Sequence, residues 1–173
     1  GPKGTGFLYV NPKLRIDGMI VGGGQERMLR GGTENVAGIV GLAEAFAAAF
    51  EHMAEHEAHV RAMKARMVQG LKKRVPGVVF NGDSDKEDRL YTVLNVQFPE
   101  HPNGGMAVFL LDLEGVACSG GSACSSGTMK TSHVMQAMAV DKDLADRTIR
   151  ISLGWNTTAQ QLDAFTGAWK ALT

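Results

Sequence analysis

The residues that stand out for covalent or ionic chemistry at a small-molecule site are two cysteines, Cys118 and Cys124, and a strand arginine, Arg150. Cys124 sits in Ser119-Gly120-Gly121-Ser122-Ala123-Cys124-Ser125-Ser126-Gly127, where seven of nine residues are Ser or Gly. Such a stretch lacks the apolar side chains that a core needs, so it is expected to be an exposed loop with an accessible thiol. An accessible thiol is a nucleophile once it becomes a thiolate, and thiol reactivity follows pKa and exposure. An incidental cysteine in a linker would have the same surroundings, and the residues alone leave both readings open. Cys118 ends the apolar run Val116-Ala117 and reads as an inert strand residue. Arg150 lies in Thr148-Ile149-Arg150-Ile151-Ser152-Leu153, whose alternation places Arg150 and Ser152 on one face and the aliphatic residues on the other. A guanidinium there suits a carboxylate, because its planar fork can bind both oxygens. Taken alone, a strand arginine is more often a solvated or salt-bridged surface residue.

Other candidate sites carry less. His52, His56 and His59 have helical spacing but sit among charged residues with no matching set of ligands, and no metal site is expected. Gly1-Pro2-Lys3-Gly4-Thr5-Gly6 lacks the spacing of a nucleotide-binding phosphate loop, and Gly22-Gly23-Gly24 is not a dinucleotide fingerprint. Lys72-Lys73-Arg74 is a basic helix end that complements the helix dipole. Lys and Arg total 18, as do Asp and Glu, so no overall field draws the chain to nucleic acid or to an anionic membrane. No apolar run approaches the ~18 residues of a membrane span. Two cysteines do not make a disulfide framework, and a reducing, cytoplasmic setting is expected.

The elements that must position these residues follow from periodicity. Phe7 to Val10 reads as a strand, and Met19-Ile20-Val21 as a second short one. Gln25 to Asn35 is polar and glycine-rich, an ordered loop. From about Val36 to Arg74 there is no proline, and Ile39, Val40, Leu42, Ala43, Phe46 and Phe50 form a stripe continued by Val60, Met63, Met67 and Leu71. This predicts a long helix, bent near Glu51, capped by Thr33 or Asn35 and stopped by Val75-Pro76-Gly77. Strands are expected at Val78–Phe80, Tyr91–Phe98, Val116–Cys118 and Thr148–Leu153. Helices are expected at Met106–Leu113, Ser132–Met138 and Lys142–Ala145. A final helix is expected with Thr157 as cap and Gln160 in the capping box, carrying Leu162, Phe165, Trp169 and Leu172 on one face. The order suits an α+β layer of a few strands covered by helices.

Several of these segments resemble one family. Val116 to Gly127 is similar to the active-loop signature of NifS/IscS-type cysteine desulfurases, in which a Ser-Gly-Ser-Ala-Cys run ends in the sulfur-accepting cysteine; Gly120 stands where many members have Ser. Ser132 to Met138 resembles the segment after that loop. Thr148 to Gly154 resembles the strand whose arginine grips the substrate carboxylate. Gly22 to Arg27 and Arg30 to Asn35 resemble the glycine-rich segment whose threonine, here Thr33, reaches the pyridoxal-phosphate (PLP) phosphate of the partner subunit. Gly1-Pro2-Lys3-Gly4 resembles the stretch just after the PLP-binding lysine, so Lys3 is the second lysine of that pattern and the Schiff-base lysine is expected upstream of Gly1.

The resemblance implies the C-terminal portion of a class V aminotransferase fold (fold type I). Residues 1–45 would be the tail of the large PLP-binding domain. Residues 46–173 would be the small domain with the long connecting helix. It implies PLP in the complete enzyme, L-cysteine as substrate, L-alanine as product, and a homodimer. Sulfur would pass by a Cys124 persulfide to an iron–sulfur scaffold or another acceptor protein. By this resemblance the chain alone would hold no covalent PLP and be inactive. A non-catalytic module for dimerisation or sulfur relay, and a selenocysteine lyase-like relative, are the alternatives.

Overall fold

A computed structural model describes residues 1–99, 104–120 and 131–169. The chain divides into two compact units, Gly1–Met53 and Ala54–Thr173, against an expected boundary after residue 45. Among the described residues, no single helix is long and apolar enough to cross a membrane.

The first unit is mostly irregular before its helix. The expected strand at Phe7–Val10 does not form, and Phe7, Leu8 and Tyr9 are exposed. A strand requires a neighbour to take its backbone hydrogen bonds, and this segment pairs with no described residue. The second expected strand reduces to a single parallel bridge, Ile20 to Arg30, with Gly31 N–H donating to Ile20 O at 2.7 Å. Inside the expected loop, Gln25–Met28 makes a 3-10 turn with Glu26 and Arg27 at positive φ. Helix α1 (Val36–Glu51) follows. Its cap is Asn35, whose Oδ1 accepts from Gly38 N–H at 3.1 Å. The stripe of α1 stays largely open: Ile39, Val40, Phe46 and Phe50 are all exposed, and the buried apolar residues begin only at Val60.

The predicted long helix breaks at His52, where φ is −99° and ψ is 8°, and resumes as α2 (Met53–Arg74). The second unit holds the core. Helix α2 contributes Val60, Met67, Val68 and Leu71. The sheet comprises β1 (Val79–Phe80), β2 (Val93–Gln97), β3 (Ser119–Gly120) and β4 (Thr148–Ser152), in the order β1-β2-β4-β3 and antiparallel throughout. Its apolar face presents Leu94 and Val96 from β2 and Ile149 and Ile151 from β4. Helices α3 (Ala107–Leu113) and α6 (Ala159–Ala168) supply Ala107, Leu111, Leu162 and Phe165 to the same core, and Phe98 stacks on Trp169 with ring centroids 3.6 Å apart. Short helices α4 (His133–Ala137) and α5 (Lys142–Asp146) lead into β4. This mixture of helices and a small antiparallel sheet is the expected α+β class.

Two expected boundaries move. Strand pairing near Cys118 starts at Ser119, not Val116, because Gly115, at φ +76°, turns the chain and Val116 N–H is held by Leu111 O at 2.9 Å. The last helix is capped by Thr158 with Gln161, one residue beyond the expected Thr157 and Gln160. The Thr157 hydroxyl is already engaged, accepting from Gly154 N–H at 2.9 Å. Leu172, expected on the same helix face, lies outside the described residues.

Candidate functional site

Strand β4, an inner strand of the sheet, carries the candidate Arg150. Ile149 and Ile151 point into the core and are buried, while Arg150 and Ser152 are exposed on the opposite face, as the alternation predicts. Arg150 makes no hydrogen bond or ion pair with any described side chain, which leaves its guanidinium available on an open sheet face. Its register partners are Asn95 on β2 and Ser119 on β3.

The ladder between β2 and β4 fixes how close these side chains come. Leu153 N–H donates to Thr92 O at 2.8 Å, and Phe98 N–H to Arg147 O at 3.2 Å. Bonded and non-bonded pairs alternate along an antiparallel ladder, so Asn95 and Arg150 form a non-bonded pair, with Cα atoms about 4.5 Å apart and side chains at their closest. The backbone of Asn95 therefore faces away from β4, toward β1. Strand β1 stops at Phe80, opposite Val96, and cannot pair with it. Ser84 takes over: its Oγ accepts from Asn95 N–H and donates to Asn95 O, both at 3.1 Å. The 3-10 turn Asn81–Asp83, with Gly82 and Asp83 at positive φ, brings Ser84 there. Asn81, Ser84 and Asn95 were not singled out by sequence reasoning. The one available signal was an asparagine in the middle of a strand of β-branched and aliphatic residues.

Ser119, beside Arg150, opens the stretch that carries Cys124. Cys124 itself lies outside the described residues. Cys118 is half-buried and packs against the core, as expected of a structural cysteine. Burial, helped by the negative charge of Asp112, pushes its thiol above the usual range, which disfavours the thiolate.

In the first unit, Thr33 is exposed, and its hydroxyl has no hydrogen bond to a described residue. A close backbone contact precedes it: a Cβ on Gly31 would lie 2.8 Å from Gly22 Cα and from Gly22 N. Only glycine permits that approach. Gly32, at φ +96°, then directs the chain to Thr33 and the Asn35 cap.

The remaining candidates make contacts within the fold. The histidine ring of His59 lies 2.8 Å from Thr157 O, His56 stacks on Trp155, and no group of described residues could hold a metal ion. Lys72 pairs with Asp85 at 2.8 Å, and Arg74 bonds Thr166 Oγ1. A buried lysine also went unforeseen. Lys64 donates to Leu90 O at 3.0 Å and to Lys86 O at 3.5 Å, and burial, with Arg61 nearby, lowers its pKa.

Residues 1–165 match the family model described as aminotransferase class-V. The chain belongs to the class-V aminotransferase family. Within that family it is similar to cysteine desulfurases: 44% identical over 163 residues to putative cysteine desulfurase IscS 1 of Bacillus subtilis (strain 168), covering 94% of this chain and 42% of that one. It is 38% identical, over 94% of its length, to cysteine desulfurase IscS of Clostridium botulinum (strain Hall), covering 41% of that protein. The fold superposes on a solved NifS-like protein with a TM-score of 0.77 at 34% identity, covering 95% of this chain and 41% of that one. The chain thus spans about two fifths of the length of the curated relatives it matches. Its family implies PLP in the complete enzymes.

Proposed function

We propose that these residues are the C-terminal part of a PLP-dependent cysteine desulfurase that converts L-cysteine to L-alanine and carries the sulfur away on Cys124. The observation that supports this most is Arg150, an arginine without a described partner on the open face of the central strand, in register with the first residue of the stretch leading to Cys124.

The residues at hand fit the cofactor on one side. Thr33 offers a hydroxyl without a described partner, on a backbone fixed by the Gly22–Gly31 contact, and we assign it to the PLP phosphate of the partner subunit in a homodimer. Bound PLP would supply an electron sink next to the substrate's Cα. Arg150 would bind the substrate carboxylate through both oxygens, fixing its position and rotation. The Cys124 thiolate would attack the substrate sulfur. The S–S bond forms as the C–S bond breaks, and the electron pair of that bond stays on carbon, which takes up a proton. L-alanine leaves, and Cys124 is left as a persulfide whose outer sulfur a thiolate of an acceptor or iron–sulfur scaffold protein can take, the Cys124 thiolate departing. The Ser and Gly residues around Cys124 suit a loop that travels between substrate and acceptor. The first unit would then be the tail of the large domain, and its exposed α1 stripe would pack on the rest of that domain. We place the protein in the cytoplasm, where thiols stay reduced. The activity belongs to the complete protein, of which these residues supply a part.

The test is to incubate the complete protein with L-cysteine, alkylate, and map the added sulfur by mass spectrometry. One extra sulfur on Cys124, with L-alanine released in step and both abolished by Cys124→Ser, is the expected result. Extra sulfur on Cys118 in place of Cys124, or L-alanine without any persulfide, would overturn the proposal.

A further inference from the structure

We infer that Asn95 is a second residue reading the substrate's carboxylate, its side-chain amide donating beside the Arg150 guanidinium; this deepens the desulfurase reading and rests on it. The argument begins with which way the amide faces. Thr148 Oγ1 donates its single hydrogen to Leu144 O at 3.0 Å, so toward Asn81 it can only accept. The group of Asn81 facing it, at 3.4 Å, is accordingly the amide nitrogen. That same nitrogen lies 2.9 Å from the Asn95 side chain, which must present its oxygen there. The Asn95 Oδ1 is thereby committed to Asn81, and its Nδ2 is turned the other way. Among the described residues, that NH2 has no acceptor.

The backbone leaves Asn95 little freedom. Both of its main-chain polar groups are held by Ser84 Oγ, and its Cα is paired with Arg150 in the non-bonded position where cross-strand side chains come closest. Two donors, one charged and one neutral, therefore stand side by side on one sheet face with no acceptor from the described residues. The Asn95 NH2 is not among the buried side-chain groups without a partner, so solvent can serve it until a carboxylate takes that place. A carboxylate fits both: the guanidinium takes two lone pairs in its fork, and oxygen lone pairs remain for the amide.

The test uses the complete, PLP-loaded protein and two competitors of L-cysteine. L-alanine carries the carboxylate, and L-alaninamide replaces it with an uncharged carboxamide. Asn95→Asp keeps the shape and the acceptor for Asn81 but sets an anion where the donor stood. The inhibition constant of L-alanine is expected to rise about tenfold or more, the loss of one charge-assisted hydrogen bond plus repulsion, while that of L-alaninamide changes less than about twofold. Equal rises for both competitors would mean a general loss of structure, and would overturn the inference. Asn81→Asp provides a check that leaves Asn95 in place. Its carboxylate would draw the Asn95 NH2 toward itself and turn Oδ1 to the substrate, so the L-alanine constant rises selectively again; an unchanged constant would overturn the amide argument. Arg150→Ala separates the two levels. If it weakens L-alanine but the Asn95 and Asn81 variants do not, the Arg150 assignment stands and the Asn95 inference falls. If Arg150→Ala has no effect either, both fall together.

Discussion

Replacing Ser84 by alanine removes one hydroxyl and, with it, both hydrogen bonds to the Asn95 backbone. The Ser84 Oγ stands 3.1 Å from Asn95 N and 3.1 Å from Asn95 O, and no strand residue can replace it because β1 has ended at Phe80. Each neutral hydrogen bond contributes about 1 kcal/mol net, and a buried donor left unmatched costs about 1–3 kcal/mol. Ser84 and Asn95 are both half-buried, so water can recover part of this. The expected loss is about 2 kcal/mol of local stability. Amide hydrogen exchange reads it directly. The Asn95 N–H, bonded to Ser84, should exchange about 30-fold faster in Ser84→Ala, the factor that 2 kcal/mol represents. The Leu94 and Val96 amides, which point to β4 on the alternating ladder, should change by less than about threefold. Ser84→Thr, which keeps the hydroxyl, should restore protection. If Asn95 exchange is unchanged in Ser84→Ala, the hydroxyl does not hold the strand, and Asn95 is positioned by β4 alone.

Arg150→Lys in the complete protein should raise KM for L-cysteine tenfold or more, because an ammonium keeps the charge but loses the two-pronged geometry, worth roughly 1.5–3 kcal/mol. The visible absorbance of bound PLP should stay as it is, and loss of that absorbance at unchanged KM would assign Arg150 to the cofactor. The Cys118 thiol, studied in a Cys124→Ser background, should reach half its maximal alkylation rate at a higher pH than free N-acetylcysteine does, since burial and then Asp112 raise its pKa. A midpoint at or below that of the free thiol would contradict the burial argument. Gly31→Ala should break the contact with Gly22, where the new Cβ meets backbone atoms at 2.8 Å that cannot rotate away. Faster exchange of the Gly31 N–H, now held by Ile20 O at 2.7 Å, is the expected readout, and unchanged protection would show that the turn can shift to make room.

Local patterns in the sequence determined much of this protein. The period of α2, the alternation of β4 and the capping-box chemistry near α6 depend on residues a few positions apart, so they were legible without a structure. The exposure of Arg150 and the burial of Cys118 follow from the same alternation and apolar context. Where a neighbour distant in sequence decides, the sequence was silent or misleading. Phe7–Val10 has a strand's composition, yet no described segment supplies its hydrogen bonds, and composition cannot supply them. Even a local feature shifted by one residue: Thr157 has a cap's chemistry, but its hydroxyl serves Gly154 three positions away, and the cap passes to Thr158. The Asn81–Asn95–Thr148 network joins residues 14 and 67 positions apart. Nothing in three polar residues on separate segments announces that the Asn95 amide gives its oxygen to Asn81 and leaves its nitrogen without an acceptor among the described residues. That follows only once the antiparallel register sets Asn95 opposite Arg150 and leaves its backbone to Ser84, because hydrogen-bond directions are settled by what the folded chain brings within about 3 Å.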